Sequence, residues 1–317
     1  MALFRRALRW LFLLLGFLAG VIVAIAAFFA RYIIRPPRQP LWASPADLDL
    51  LYEDVNFPAR DGLRLAGWFI PAVDPLQRNG AAVVLVHGWP WNRLGESAED
   101  ILSKLARMQR VDLLRLAHAL HQEGYHVLMF DLRNHGESAA APPVTFGLKE
   151  AGDLLGALAY LNGRDEVDGR RIGVVGFSMG ANSTLFALPQ TDRIRAAVVV
   201  QPTTIAVFTK RYASDLLGLL GRLVLPLTEF FYRQAGGPAF SAVSPTFVAS
   251  NAGETPVLFV QGEGDEWGSV TDVAEMAAVT PGARGPLFVE STHRVGGYQY
   301  AVDHPEVLAA FFEQHLG

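Results

Sequence analysis

The clearest candidates for reactive residues lie between Gly176 and Gly180, in the segment Gly-Phe-Ser-Met-Gly. An apolar, β-prone run, Ile172–Val175, precedes this segment, and helix-compatible residues, Ala181–Leu188, follow it. A strand, a tight turn and a helix in this order hold a nucleophilic serine at the tip of the turn in G-x-S-x-G motifs. The two glycines fit a strained turn that leaves little room for neighbouring side chains. Ser178 is therefore the candidate nucleophile.

An acid and a histidine later in the chain could activate this serine. Asp265 follows an apolar run within the segment Gly262–Glu266, and His293 follows the last predicted strand. A serine hydroxyl needs an adjacent base at neutral pH, and a carboxylate can orient the imidazole of that base. The order Ser178, Asp265, His293 along the chain is the order in which one class of parallel-sheet enzymes carries its triad.

Short apolar strands that alternate with helical segments must position these side chains. The predicted strands are 81–86, 127–130, 172–175, 196–200, 256–260 and 286–289, preceded by a hairpin of 55–59 and 63–70 around an Asp-Gly turn. Helical patterns cover 97–123, 147–161 and 305–315. Continuously apolar strands separated by helices indicate an α/β fold with a parallel sheet covered on both faces. Reactive groups in such a sheet lie at the carboxyl ends of its strands.

The combination of motifs at the strand ends resembles the α/β-hydrolase fold family over about residues 52–317. The motifs that carry the resemblance are His87-Gly88, Gly-Phe-Ser-Met-Gly, the loop Asp131–Ser138, Gly262-x-x-Asp265 and the late His293. The resemblance implies an α/β-hydrolase fold with a mostly parallel eight-stranded sheet, helices on both faces and a small lid insertion. It also implies a hydrolytic triad, while leaving the substrate open because this fold supports many chemistries.

In the mechanism that follows, Ser178 Oγ attacks an ester-like carbonyl, and His293 takes the proton and later gives it to the leaving group. Asp265 holds the tautomer of the imidazole and stabilises its protonated form. The backbone N–H groups of Met179 and Trp89 would bind the oxyanion.

Supporting roles are expected for other motif residues. His87 and Gly88 shape the loop before Trp89, and Gly176 and Gly180 shape the serine turn.

Other residues compete for the acid and base roles. His304 is expected on the surface of the first turn of the last helix, and Asp131 is expected to shape the turn after its strand. Glu263 and Glu266 are expected to be solvated charges in a loop, and the Gly-x-x-Asp pattern favours Asp265 as the acid. Gln201, which ends the strand after the nucleophile, cannot be the anionic member of a triad.

The N-terminus carries a candidate membrane anchor. Trp10–Ala30 is free of charged residues, and as a helix it would span about 31 Å, close to the thickness of a bilayer core of about 30 Å. This run exceeds the apolar core of a signal peptide, so we expect an uncleaved anchor. Arginines flank it on both sides, at positions 5, 6, 9, 31, 35 and 38. The expectation is a cytoplasmic N-terminus with the globular domain outside.

The expected domain organisation has two parts. Residues 1–40 form the anchor and a connector stiffened by prolines, and residues 41–317 form the α/β-hydrolase domain. Within that domain, the segment from about 203 to 250 is long and apolar, but Arg222 and Glu229 interrupt it, so it is too broken to span a bilayer. Two interpretations of this segment are equally favoured, namely a lid over an acyl pocket and ordinary helical packing.

Composition narrows the functions further. The formal net charge is −4 and the basic residues form no long run, so nucleic-acid binding has no electrostatic basis. The sequence contains no cysteine, which excludes thiolate chemistry, and neither a cofactor nor a metal site is expected. The sequence predicts a serine hydrolase that cleaves an ester or thioester of a moderately apolar acyl group, either a small molecule or a lipid. A serine peptidase or amidase, an acyl transferase and a non-catalytic membrane-tethered binding protein are the alternatives.

Overall fold

A twisted sheet forms the centre of the computed structural model, which describes residues 2–74 and 77–317. The strands are β1 (Glu53–Pro58), β2 (Arg64–Ile70), β3 (Ala82–Val86), β4 (Gly95–Glu96), β5 (Val111–Asp112), β6 (His126–Phe130), β7 (Ile172–Phe177), β8 (Ile194–Val200), β9 (Val257–Gly262) and β10 (Ala283–Val289). Eight of them form the main sheet in the order β1-β2-β6-β3-β7-β8-β9-β10, and β4 pairs with β5 in a separate ribbon.

The direction of the strands confirms the expected architecture. β2 runs antiparallel to β1 and to β6, while the neighbours from β6 to β10 are parallel. The predicted hairpin is confirmed, since β1 and β2 pair in register from Glu53 opposite Phe69 to Pro58 opposite Arg64. Gly62 in the intervening turn has a φ of 84°, which glycine adopts at no steric cost.

Helices cover both faces of the sheet. They are α1 (Ala2–Ile34), α2 (Ile101–Leu105), α3 (Leu113–Gln122), α4 (Glu150–Asn162), α5 (Met179–Ala187), α6 (Ile205–Leu217), α7 (Gly221–Gln234), α8 (Thr246–Ala249), α9 (Val270–Val279), α10 (Gly296–Asp303) and α11 (Pro305–Leu316). α4, α5 and α9 pack on one face, and α3, α10 and α11 pack on the other.

Alternation along the central strand β3 shows how the sequence builds this layered core. Val84 joins the cluster that contains Leu154 of α4, whereas Val83 and Leu85 join the cluster that contains Phe312 of α11. Since successive side chains of a strand point to opposite faces, a continuously apolar strand has to be covered on both.

The predicted helix over 97–123 is wrong in its middle. The chain forms α2, then a loop in which Arg107 adopts a left-handed φ of 52°, and then the short strand β5. Val111 pairs with Glu96 in the ribbon, and this pairing requires an extended backbone. The tertiary pairing therefore overrides the local helical propensity of this segment. α10, which precedes the expected last helix, is a further element that the sequence pattern did not reveal.

The N-terminal helix and the long insertion meet beside the sheet. α1 has 33 residues and so extends about 50 Å, and Leu3–Ile34 is long and apolar enough to cross a membrane. The insertion after β8 folds into α6, α7 and α8, and its helix α7 packs against the last turns of α1. We call the pair α6 and α7 the cap.

Candidate active site

Ser178 occupies the sharp turn between β7 and α5. Its φ and ψ are 51° and −111°, a conformation that non-glycine residues adopt only when the surrounding structure enforces it. The flanking glycines permit this turn, because a Cβ on Gly176 would lie 2.5 Å from Gly180 O and one on Gly180 would lie 2.1 Å from Val86 O. Ser178 is 9% exposed, so the candidate nucleophile is covered but not sealed.

The loop after β3 closes on the other side of the serine. A Cβ on Gly88 would lie 3.2 Å from Ser178 Cβ and equally close to the Trp91 ring, so this glycine lets the backbone approach the nucleophile. Met179 is the first residue of α5, where a helix leaves its N–H groups free and its dipole positive. Met179 thus follows Ser178 directly in the chain, and Gly88, the residue before Trp89, approaches Ser178 in space.

His87 connects two loops beneath the site. Its Nδ1 lies 2.7 Å from Gly88 O, and its Nε2 accepts a hydrogen bond of 3.0 Å from Leu132 N. Burial lowers the pKa of His87 to about 4, so the ring is neutral at physiological pH. The second loop histidine, His135, behaves in the same way, with a pKa that burial and the nearby His87 lower to about 3. Both rings therefore have hydrogen-bonding roles in the loops.

Asp131 is bound to the loop that carries the candidate oxyanion donors. Its carboxylate accepts from Arg93 N at 2.8 Å, from Arg93 Nη2 at 2.6 Å and from Glu137 N at 2.8 Å. Burial alone would raise the pKa of Asp131, but the charge and hydrogen bonds of Arg93 lower it overall. This fully buried ion pair gives Asp131 the turn-shaping role that its position in the sequence predicts.

Asp265 lies after β9 and is surrounded by donors. Its Oδ1 accepts from Trp267 N at 3.1 Å and from Gly268 N at 3.0 Å, and its Oδ2 accepts from Gln201 Nε2 at 3.0 Å. Arg294 Nη1 also donates to Oδ1 in a short ion pair. The carboxylate is therefore bound by an arginine, where the sequence analysis expects the imidazole of His293.

His293 does not reach Asp265 or Ser178 through any hydrogen bond in residues 2–74 and 77–317. Its Nδ1 is buried without a hydrogen-bond partner in that part of the chain. The side chain instead lines an open groove bordered by the segment Leu105–Gln109 and by Trp267. The structure thus brings Ser178 and Gly88 together, and places Asp265 with Arg294 rather than with the predicted base.

Arg294 is held from several sides. Its Nη2 donates to Tyr298 Oη at 3.1 Å, and its guanidinium carbon lies 4.5 Å from the centre of the Trp267 ring. Burial opposes the charge of Arg294, but the Asp265 carboxylate more than compensates and raises its pKa. Arg294 is therefore a permanent cation inside the candidate site, and nothing in the serine, acid and histidine motifs points to it.

Tyr298 and Gln201 are the other site residues that sequence reasoning missed. Burial raises the pKa of Tyr298, although the charge of the neighbouring Arg294 acts in the opposite direction. Gln201 donates to Asp265 and accepts from Gly297 N at 2.9 Å, which ties the ends of β8 and β9 to α10. The position of Gln201 at a strand end was the available signal.

Among the competing residues, His304 lies away from the serine turn. His304 is half exposed at the start of α11, where its ring pairs with Glu306 at 3.2 Å. Its position between two helices agrees with the predicted surface location.

The chain belongs to the α/β hydrolase family, whose model matches residues 83–311. The Arabidopsis thaliana "Alpha/beta hydrolase domain-containing protein WAV2" is 27% identical over 78% of this chain and 75% of its own length. The uncharacterized protein YfhR of Escherichia coli O157:H7 is 27% identical over 67% of this chain and 63% of its own length. The Pyrococcus furiosus esterase Pf2001 superposes with a TM-score of 0.68 and 25% identity, over 90% of this chain and all of that structure. The family and this esterase neighbour support hydrolase activity.

Proposed function

We propose that this protein is a serine hydrolase that cleaves carboxylic esters or thioesters of a moderately apolar acyl group. The strained backbone of Ser178 between β7 and α5 carries the proposal, because it exposes a hydroxyl beside the start of a helix. The serine attacks the carbonyl, and the N–H groups of Met179 and Trp89 stabilise the oxyanion. The C–O or C–S bond then breaks, the alcohol or thiol leaves with a proton from the general base, and water later hydrolyses the acyl-enzyme.

The proposal requires His293 to reach the site. We infer that the turn of residues 292–294 has two arrangements, in which either Arg294 or His293 lies against Asp265. These two residues are adjacent in an irregular turn at the mouth of an open groove, so a local backbone rotation exchanges them. In the second arrangement, His293 serves as the general base and Asp265 orients its ring.

Covalent labelling with a fluorophosphonate probe tests the nucleophile. We expect the full chain in detergent to be labelled and the Ser178→Ala variant to be unlabelled. Ser269→Ala is a matched control, because Ser269 is also 9% exposed and also stands at the start of a helix. Labelling that persists in Ser178→Ala contradicts the proposal, because it places the reactive nucleophile elsewhere. A full chain that takes no label and hydrolyses no p-nitrophenyl ester also contradicts the proposal and favours a binding protein.

The leaving group is tested by comparing p-nitrophenyl esters, acyl thioesters and p-nitroanilides of the same acyl group. We expect the ester and thioester to be cleaved and the anilide to be resistant. Preferential cleavage of the anilide would identify an amidase or peptidase instead.

We further propose that α1 anchors the protein in a membrane with the hydrolase domain outside the cytoplasm. The support is the long apolar helix at the N-terminus. A reporter that is active on one side of the membrane, fused to the C-terminus, tests the orientation. Activity of a cytoplasmic reporter contradicts it.

A further inference from the structure

An apolar slot lies where α1 meets the cap. It is narrow, and the surface that its walls expose is apolar. The lining residues are Phe29, Tyr32, Ile33, Trp89, Phe208, Thr209, Tyr212, Ala213, Leu217, Val224, Leu225 and Thr228. One wall of the slot therefore belongs to the candidate membrane helix itself.

The end of α1 is built into the protein. Ala26, Ala30 and Ile33 are buried at helical spacing, whereas Val23 and Phe28 on the other face are exposed. Specific hydrogen bonds accompany this packing: Thr228 Oγ1 donates to Ala26 O at 3.4 Å, and Tyr32 Oη donates to Asp100 Oδ1 at 2.5 Å. A signal sequence that is removed has no need of such contacts with the mature domain.

One lining residue, Trp89, connects the slot to the loop beside the candidate active site. The Trp89 ring forms an edge contact with Tyr32, with ring centres 5.5 Å apart, and another with Phe208 at 6.2 Å. Gly88, the residue before this tryptophan, approaches Ser178. The slot therefore borders the loop that approaches the nucleophile.

The outer end of the slot lies at the expected membrane surface. The charge-free part of α1 ends at Ala30, and Arg31 is exposed in the same turn as the slot residues Phe29 and Tyr32. Arginines at the end of a membrane helix lie at the level of the lipid headgroups. The cap exposes large apolar side chains as well, namely Leu219, Leu220, Leu223 and Phe230. A cluster of this kind marks a surface that meets apolar material.

We propose that α1 forms part of the acyl-binding site, and that the slot receives the acyl chain of a lipid directly from the bilayer. The proposal rests on the serine hydrolase function for the fate of the bound lipid. The chain passes between α1 and the cap, so that its ester carbonyl lies beside Trp89 and Ser178. The substrate class is therefore a membrane-resident acyl ester rather than a water-soluble ester.

Photocrosslinking tests the binding site without depending on catalysis. The full-length Ser178→Ala variant is reconstituted in phosphatidylcholine vesicles that contain a palmitoyl lysophosphatidylcholine with a photoreactive group in its acyl chain. We expect crosslinks to Phe29, Ile33 and Leu225. Crosslinks confined to the outward residues of α1, such as Val23 and Phe28, would show ordinary bilayer contact and overturn the proposal.

Two alanine-to-tryptophan variants provide the matched comparison. Ala213→Trp fills the slot, whereas Ala27→Trp adds the same side chain on the exposed face of α1. In the otherwise wild-type chain, we expect Ala213→Trp to lower kcat/KM for p-nitrophenyl palmitate by about tenfold or more while that for the butyrate ester is retained. The Ala27→Trp variant should keep both values. An unchanged ratio of the two esters in Ala213→Trp overturns the proposal.

A variant that enlarges the slot provides a second test in case the tryptophan variant misfolds. Leu225→Ala widens the slot, and we expect it to shift the preference towards longer or branched acyl chains. If wild type and every variant hydrolyse neither ester but the crosslinks form in the slot, the hydrolase function is contradicted and the lipid-binding site is supported. If the esters are cleaved and no crosslink enters the slot, the lipid site fails alone.

Discussion

Arg294 forms an ion pair with the carboxylate of Asp265, and the neighbouring His293 lines an open groove instead. The arginine is anchored by an ion pair, a tyrosine hydroxyl and an indole ring at once. A partly buried ion pair of this quality competes directly with the hydrogen bond that a catalytic histidine needs. The side chains of Arg294 and His293 therefore compete for contact with Asp265. The equilibrium between these two arrangements determines whether Ser178 has a general base.

Removing the competing cation should increase activity. For Arg294→Met, which keeps much of the side-chain volume, we expect kcat/KM for p-nitrophenyl butyrate to rise by about tenfold. Without the competing cation, the free-energy cost of placing His293 against Asp265 falls by about 1.4 kcal/mol. Steady-state kinetics with the full chain in detergent measure this effect. The exposed Arg195 of β8 provides the control, and Arg195→Met should behave as wild type. A large fall in the activity of Arg294→Met would show that the arginine belongs to the productive arrangement.

Adding one methyl group at Gly88 should impair catalysis more than stability. The new Cβ would approach Ser178 Cβ and the Trp91 ring at 3.2 Å each, which is tighter than ordinary contact and forces the loop or the serine to move. Small displacements of a reacting group cost about 100-fold in rate, so we expect a loss of this size in kcat for Gly88→Ala. Thermal unfolding monitored alongside should change little. An unaffected kcat would mean that this loop does not adjoin the reacting atoms.

Breaking the Asp131–Arg93 pair should destabilise the fold. Asp131→Asn removes the buried counter-charge of Arg93 and leaves its guanidinium only the more exposed Glu137 as a partner, so we expect a loss of about 3 kcal/mol in the free energy of unfolding. The exposed pair between Glu99 and Lys104 is the control, and Glu99→Gln should leave the free energy of unfolding nearly unchanged. Denaturant titration at pH 7 measures both. Equal effects of the two substitutions would contradict the structural role of the buried pair.

Glu96 should make stability depend on pH in an unusual direction. Burial raises the pKa of Glu96 from 4.5 to about 7, so the folded state holds a proton that the unfolded state releases. Stability is then highest near pH 4.5 for this group and falls as the pH rises to about 7, because deprotonation favours the unfolded chain. The loss is on the order of 3 kcal/mol.

Glu96→Gln should remove that loss. Oε1 of Glu96 accepts from Ala98 N, Ser103 Oγ and Gln39 Nε2, and the amide oxygen of a glutamine can accept the same bonds. We expect the variant to unfold at a higher temperature than wild type at pH 8 and to match it near pH 5. Calorimetry at the two pH values measures the difference. A variant that is less stable at pH 8 would show that the charged carboxylate is favoured in the fold.

The sequence predicted the architecture well because the signals are local. Continuous apolar runs specify strands that are buried on both faces, and the glycines around Ser178 specify a turn that few other residues permit. The helix predicted over 97–123 failed because the pairing of Val111 with Glu96 joins residues whose contact no local pattern encodes.

By itself, the sequence determined the serine turn, the parallel sheet and the apolar N-terminal helix, since each follows from residue types within a short stretch of chain. Only the tertiary structure decided that Arg294 rather than His293 contacts Asp265, and that α1 supplies a wall of the apolar slot. The first depends on which way each of two neighbouring side chains points in a turn. The second depends on packing between α1 and α7, which are almost two hundred residues apart. Both are set by long-range contacts, and periodicity and motif spacing carry no information about them.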